Sequence, residues 1–221
     1  GLTLVFPNRR AVLYFRKHLS TLLDKPVFAP KLLTIEDFIA GLTSLRVPDK
    51  LELIHRLYKS YHQIIEKSDP EPFDKFYFWG DMLLRDFDEA DKYLINANQL
   101  FLDLSHQKEL DSTFDYLTEE QQEFLKSFWS SFEENLTENK KRFLTVWNKL
   151  FELYTMYKQS LLADGLAYEG MMHRRVAEQI NDVGKESNAS QRIIFAGFNA
   201  LTRAEEKVIC YYVERGMADV Y

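Results

Sequence analysis

The sequence predicts an α/β fold: a parallel-sheet lobe interrupted by a large all-helical insertion. Three observations carry that reading. Strand and helix patterns alternate over residues 1–46, helical patterns alone fill residues 47–165, and the alternation returns over residues 166–221. The first and last spans are the expected two parts of one lobe, and the middle span is the expected insertion.

Leu2-Thr3-Leu4-Val5-Phe6 is an apolar run of the kind that forms a buried strand. Arg9 to Asp24 reads as the helix after it, with Leu13, Leu19 and Leu22 or Leu23 marking a helical period. Pro26 and Pro30 bracket an extended piece, Val27-Phe28-Ala29, which Leu32-Leu33 prolongs. Thr34 is the predicted N-cap of the next helix, because Glu36 and Asp37 place negative charge beside the free N–H groups of its first turn. Phe38, Ile39, Leu42 and Leu45 form its expected buried side.

From Pro48 to about Asp164 one helical stripe follows another. Leu51, Ile54, Tyr58, Tyr61 and Ile65 step by three or four, as do Phe73, Tyr77, Gly80, Leu84 and Phe87. Thr118-Glu119-Glu120-Gln121 reads as a capping box opening a helix that carries Phe124, Phe128 and Phe132. Phe143, Trp147, Leu150, Tyr154, Tyr157 and Leu161 make the longest stripe, which Asp164-Gly165 ends. Tyr168 to Asn181 is one further predicted helix, and residues 184–190 a polar, mobile loop. Arg192 to Ala196 is a buried-type strand, and Gly197-Phe198-Asn199 a turn. Thr202-Arg203-Ala204-Glu205 forms a second capping box, whose helix runs to Gly216 before Val220 begins another strand. Both ends read as cut through strands, so the chain is expected to be a piece of a longer protein.

The 221 residues carry a net charge of −6, with 46% hydrophobic and 28% charged residues, too apolar for intrinsic disorder. Cys210 is the single cysteine, which excludes an internal disulfide framework and a cysteine-based zinc cluster. No apolar run approaches the roughly 18 residues of a membrane span. The expectation is a soluble, cytoplasmic protein with no membrane partner. Its acidic balance argues against nucleic-acid binding over the whole surface and leaves room for a local basic site.

Few residue groups carry chemistry. Asp81, Asp86, Asp88, Glu89 and Asp91 spread around one helix and read as a solvated face. His18, His55, His62, His106 and His173 lack any metal-ligand spacing and read as surface or half-buried side chains. Cys210, beside Ile209 and Tyr211, reads as a packed small residue. No phosphate-cradling G-x-x-x-x-G-K-[ST] loop is present, and no catalytic residue or metal site is nominated. One basic group remains: Asn8-Arg9-Arg10 follows the first strand and opens a helix, where free N–H groups and two guanidinium forks suit phosphate oxygens. A solvated turn punctuated by Pro7 is the alternative.

Four stretches together resemble the first motor lobe of UvrD/Rep-type superfamily-one DNA helicases, and more closely their degenerate relative, the AddB-like helicase–nuclease subunit. Val5-Phe6-Pro7-Asn8-Arg9-Arg10-Ala11 is similar to the family segment TFTNKAA, and Thr34-Ile35-Glu36-Asp37-Phe38 to T-x-H-x-F, with Glu36 replacing the histidine. Leu166-Ala167-Tyr168-Glu169-Gly170-Met171-Met172 occupies the place of D-F-D-D-L-L. Ile193 to Thr202 stands where these helicases carry L-V-D-E-F-Q-D-T, and resembles the AddB-like D-G-F-x-x-F-T-x-x-E through Gly197, Phe198, Thr202 and Glu205. The segment FWGDMLLRDFDEADKYL, residues 78–94, is similar to one in large Bacteroidetes-type proteins of this kind that end in a PD-(D/E)xK nuclease domain.

The resemblance implies a partial P-loop-type, RecA-like lobe. It also implies where the chain departs from a motor, because the family's magnesium-binding Asp and water-orienting Glu are replaced by Ala196 and Gly197. The P-loop itself would lie before Leu2. By position, Asn8, Arg9, Arg10 and Thr34 are the implied contacts to a single-strand backbone. The implied function is that of an inactivated helicase-like scaffold and single-strand guide in a DNA-end-processing helicase–nuclease of recombination and repair. It would have no ATP hydrolysis of its own, no cofactor in this segment, and DNA and a helicase–nuclease partner subunit as partners. A helical protein–protein interaction module with no nucleic-acid role is the competing expectation.

Overall fold

The computed structural model describes residues 1–25, 27–64, 72–101, 149–184 and 192–221. In chain order the elements are β1 (Leu2–Phe6), α1 (Arg9–Leu22), β2 (Lys31–Thr34), α2 (Ile35–Ala40), α3 (Lys50–Ile64) and α4 (Phe73–Lys92). They are followed by α5 (Leu150–Ala163), α6 (Glu169–Glu178), α7 (Ile180–Val183), β3 (Arg192–Phe195), α8 (Arg203–Glu214) and β4 (Ala218–Val220). The described chain divides into two compact units, one of residues 1–47, 88–94 and 165–221 and the other of residues 48–87 and 95–164.

The first unit holds a four-stranded, all-parallel sheet in the order β2-β1-β3-β4. Side chains alternate between its two faces. Val5 and its register partners Leu33 and Phe195 point to one face, where Phe38, Ile39, Val176, Ile180, Val208 and Tyr212 complete a dry core. Phe38 meets Phe195 and Tyr212 edge-on, each with ring centroids 5.5 Å apart, the arrangement that aromatic quadrupoles favour. Leu4 and Phe6 point to the other face, where Phe15 of α1 packs on Phe6 at 5.2 Å. Arg46 pairs with the segment after α5, its N–H donating to the Gly165 carbonyl and its carbonyl accepting from Ala167, so the chain stretches on either side of residues 48–164 meet.

The expected strand through Val27-Phe28-Ala29 does not form. Pro30 has no N–H for a ladder, so β2 begins at Lys31, and Phe28 is left fully exposed. The helix predicted to Asp24 ends at Leu22. The one predicted over Tyr168–Asn181 takes Tyr168 as its N-cap and breaks at Gln179, where α7 starts. Leu42 and Leu45 lie beyond the short α2 and are half-buried. Thr202 and Glu205 form the predicted capping box, each satisfying the other's backbone N–H, and α8 runs to Glu214.

In the second unit α3 packs on α5. The buried stripe of α3 is Leu53, Ile54, Leu57, Tyr61 and Ile64, which keeps the expected Ile54 and Tyr61 but not Leu51, which is exposed, or Tyr58, which is half-buried. Two apolar stripes compete on α3, and packing against α5 selects the one in which the Tyr157 hydroxyl donates to the Leu53 carbonyl at 3.1 Å. Burial pushes the Tyr157 phenol far above its ordinary pKa, so it remains a donor. Over residues 73–87 of α4 the buried side is Phe76, Trp79, Gly80, Leu83, Leu84 and Phe87, while Phe73 and Tyr77 of the expected stripe are half-buried. Leu150, Tyr154, Tyr157 and Leu161 are buried as expected, and Gly165 ends that stretch at φ +68°. The Thr118 capping box, Phe124, Phe128, Phe132, Phe143, Trp147, Ile65, His106 and the loop after Gly184 lie outside the described residues.

Three expectations about polar residues are corrected. The acidic group on α4 is not a uniformly solvated face: Asp91 is 0% exposed, because it turns toward α6, and Asp81 is paired with Lys50 and Arg85. His173 is 1% exposed, since it lies on the inner side of α6 with Met172 and Val176. Cys210 is exposed, because Ala204, Val208, Ile209, Tyr211 and Tyr212 form the inner side of α8 and leave position 210 outside.

Candidate functional site

All four strands run the same way, so their carboxyl ends share one edge of the sheet. From β1 the chain turns to β2 on one side, and from β3 it turns to β4 on the other. The switch in direction therefore falls between the adjacent strands β1 and β3, where the loops leaving them part. Open parallel sheets carry ligand sites at this place. Asn8, Arg9 and Arg10 follow β1, Thr34 closes β2, and Ala196 and Gly197 follow β3. The fold thus brings every sequence-nominated residue to one edge. The ladder persists there: Ala196 donates to the Val5 carbonyl at 3.0 Å and Gly197 to the Tyr221 carbonyl at 3.0 Å.

Three helices start at this edge, each with a side-chain cap. The Asn8 Oδ1 accepts from the Ala11 N–H at 2.9 Å, the Thr34 Oγ1 from Asp37 at 3.1 Å, and the Thr202 Oγ1 from Glu205 at 3.3 Å. Their first turns differ in charge. That of α2 holds Glu36 and Asp37 and that of α8 holds Glu205 and Glu206, whereas that of α1 has no carboxylate and opens with Arg9 and Arg10. Carboxylates already complement the partial positive charge of the α2 and α8 starts; at α1 the guanidinium groups add to it. Arg9 and Arg10 are exposed, and their guanidinium groups have no partner among the described residues. Thr34 is buried and its hydroxyl is engaged in capping α2, so its part at this edge is to set the start of that helix.

On the β3 side the backbone matters as much as the missing side chains. Gly197 sits at φ +78°, in the left-handed region that side chains other than glycine rarely adopt, although a Cβ there would meet nothing within 4 Å. The turn therefore selects glycine for its conformation and not for lack of room. Among the described residues no group of three or more His, Cys, Asp or Glu is placed to hold a metal ion.

A second polar group, missed in the sequence, lies in the same unit. The Arg174 Nε stands 2.7 Å from Asp91 Oδ1, the Tyr168 hydroxyl donates to Asp91 Oδ2 at 2.5 Å, and Arg174 Nη2 donates to the Ala90 carbonyl at 3.1 Å. Beside it, the Gly170 N–H donates to Asp88 Oδ1 at 2.6 Å, and Lys92 bridges Asp88 and Glu169. Burial opposes the charge on Lys92, but its two carboxylate partners hold its pKa above the ordinary lysine value. The paired geometry of this group is that of a structural clamp between the end of α4 and α6. The residues around Asp91 carry no signal of burial, since it stands in the charged run Asp88-Glu89-Ala90-Asp91-Lys92. No protein-family model and no curated protein sequence matches the chain.

Proposed function

We propose that the carboxyl edge of the sheet binds the backbone of single-stranded DNA, in the manner of an inactivated helicase-like lobe that guides a strand for a DNA-end-processing helicase–nuclease without hydrolysing ATP. The observation that carries this reading is the contrast among the three helix starts. Only that of α1 is free of carboxylates, and it presents two unpaired guanidinium groups at the switch between β1 and β3. The charge distribution supports it. Residues 1–31 contain six Lys or Arg and one Asp, net +5, so the other 190 residues carry −11. A local cationic site on an acidic protein attracts a polyanion at one place and repels it elsewhere.

The absence of an acid at Ala196, and the left-handed glycine after it, support a role that grips and does not translocate. The test is fluorescence anisotropy of a labelled oligo-dT with the chain over a salt series. Arg9→Ala with Arg10→Ala is expected to weaken binding roughly tenfold at low salt and to lower the salt slope by about 0.7 to 1.4, as loss of one or two single-strand phosphate contacts requires. Both side chains are exposed, so the urea midpoint should not move. Unchanged affinity in a folded double variant refutes the site.

A further inference from the structure

Beyond Arg10, the outward side of α1 is unused by the phosphate contacts just described. The helix holds Arg9, Arg10, Arg16 and Lys17 and no carboxylate, and none of its 14 residues is buried. Phe15 turns inward onto Phe6. On the opposite side Arg10, Tyr14 and Lys17 follow one another at four- and three-residue steps and so form one stripe. Tyr14 is 58% exposed. Its ring and hydroxyl, like the side chains of Arg10 and Lys17, have no partner among the described residues.

We propose that this stripe stacks one base of a single-stranded nucleic acid on the Tyr14 ring, with Arg10 and Lys17 neutralising the phosphates on either side. The proposal rests on the phosphate-binding reading of the sheet edge and extends its footprint along α1. An aromatic face between cations is the arrangement that holds unpaired bases regardless of sequence. At 1.5 Å per residue, Arg10 and Lys17 are about 10 Å apart along the helix axis, a span that leaves room for a nucleotide between them. An acidic amphipathic helix fits less well, since such partners need apolar anchors at successive three- and four-residue steps. The outward side offers the Tyr14 ring and, beside it, Leu13 at 62% exposed, but no apolar anchor one turn further on, where Lys17 and Thr21 stand.

The experiment compares a short oligo-dT with an abasic strand of equal length, at low salt, by anisotropy. The wild-type chain is expected to prefer the strand with bases by roughly 5- to 100-fold. Tyr14→Ala should abolish that preference while leaving affinity for the abasic strand unchanged, and Tyr14→Phe should retain it. A preference that survives in Tyr14→Ala, or no preference in the wild type, overturns the stacking site while leaving the Arg9 and Arg10 contacts standing. Competition by a poly-glutamate peptide as effective as that by oligo-dT also overturns it, in favour of an acidic protein partner. Failure of both strands to bind removes the phosphate reading and the stacking site together.

Discussion

Asp91 shows how a single residue escapes a reading made along the chain. It stands among four other acidic residues, and the helical spread of that group suggested solvent. Its partners are remote: Tyr168 comes 77 positions later, and Arg174 reaches back to the neighbouring Ala90 carbonyl over 84 positions. A carboxylate with no exposed surface is tolerated only when paired, and removal of one partner leaves an uncompensated charge. Arg174→Met is therefore expected to destabilise the protein by about 3–5 kcal/mol. The double variant Asp91→Leu with Arg174→Met should recover most of that loss, because neither charge then remains. Urea unfolding of the single and double variants measures the difference, and a double variant no more stable than the single would show that the pair is not coupled. By contrast, Asn8, Thr34 and Thr202 were legible from sequence as caps or helix starts, since a cap depends only on the residues just after it.

At the scale of elements, the end of α4 and the start of α6 are held at backbone distance by Gly170. A Cβ added there would run into the Asp88 carbonyl, a group that cannot rotate away. Gly170→Ala should lower the thermal midpoint and cost about 1–3 kcal/mol or more, as overpacking at a fixed contact does. Gly80→Ala is the control of the same chemistry. Its Cβ would meet the Phe76 ring and the Ile54 side chain, which can shift, so a smaller loss is expected. A Gly170 variant as stable as the wild type would mean that the two helices separate at little cost. Strand β1 and helix α8 were readable because their apolar runs and caps are local. Leu51 and Tyr58 were misassigned to the buried stripe of α3 because two sets of apolar residues share one helix, and only the partner α5 distinguishes them. Nothing in the residues 27–29 announced that Pro30, not the apolar run, would set where β2 begins.

At the scale of the molecule, His173 couples the stability of the sheet-bearing unit to pH. Burial lowers its pKa below the ordinary histidine value, against the opposing pull of Glu169 on its own helix, Glu205 on α8 and Asp88 on α4, with Lys92 adding to the lowering. A histidine whose folded pKa lies below its unfolded value of about 6.5 leaves stability intact above that pH. As the pH falls below it, the unfolded chain takes up the proton first and the folded state loses ground, until the folded pKa is passed. The urea midpoint is expected to fall as the pH drops through about 6.5 and below, and His173→Gln should flatten that fall. Equal slopes in variant and wild type would exclude His173 as the group responsible. The paired Lys92 has the opposite sign: its contribution holds below its unfolded pKa and is lost only as alkali titrates the folded group.

Hydrophobic period, caps and prolines were sufficient to announce the alternation of strands and helices among the described residues toward both ends of the chain, because each of those signals acts over a few neighbouring residues. The order β2-β1-β3-β4, and hence the meeting of Asn8, Arg9 and Arg10 with Ala196 and Gly197 at one edge, was beyond their reach. So were the burial of Asp91 and His173 and the exposure of Cys210. Those depend on pairings between segments far apart in the chain, which are settled by which faces can bury the most apolar surface together.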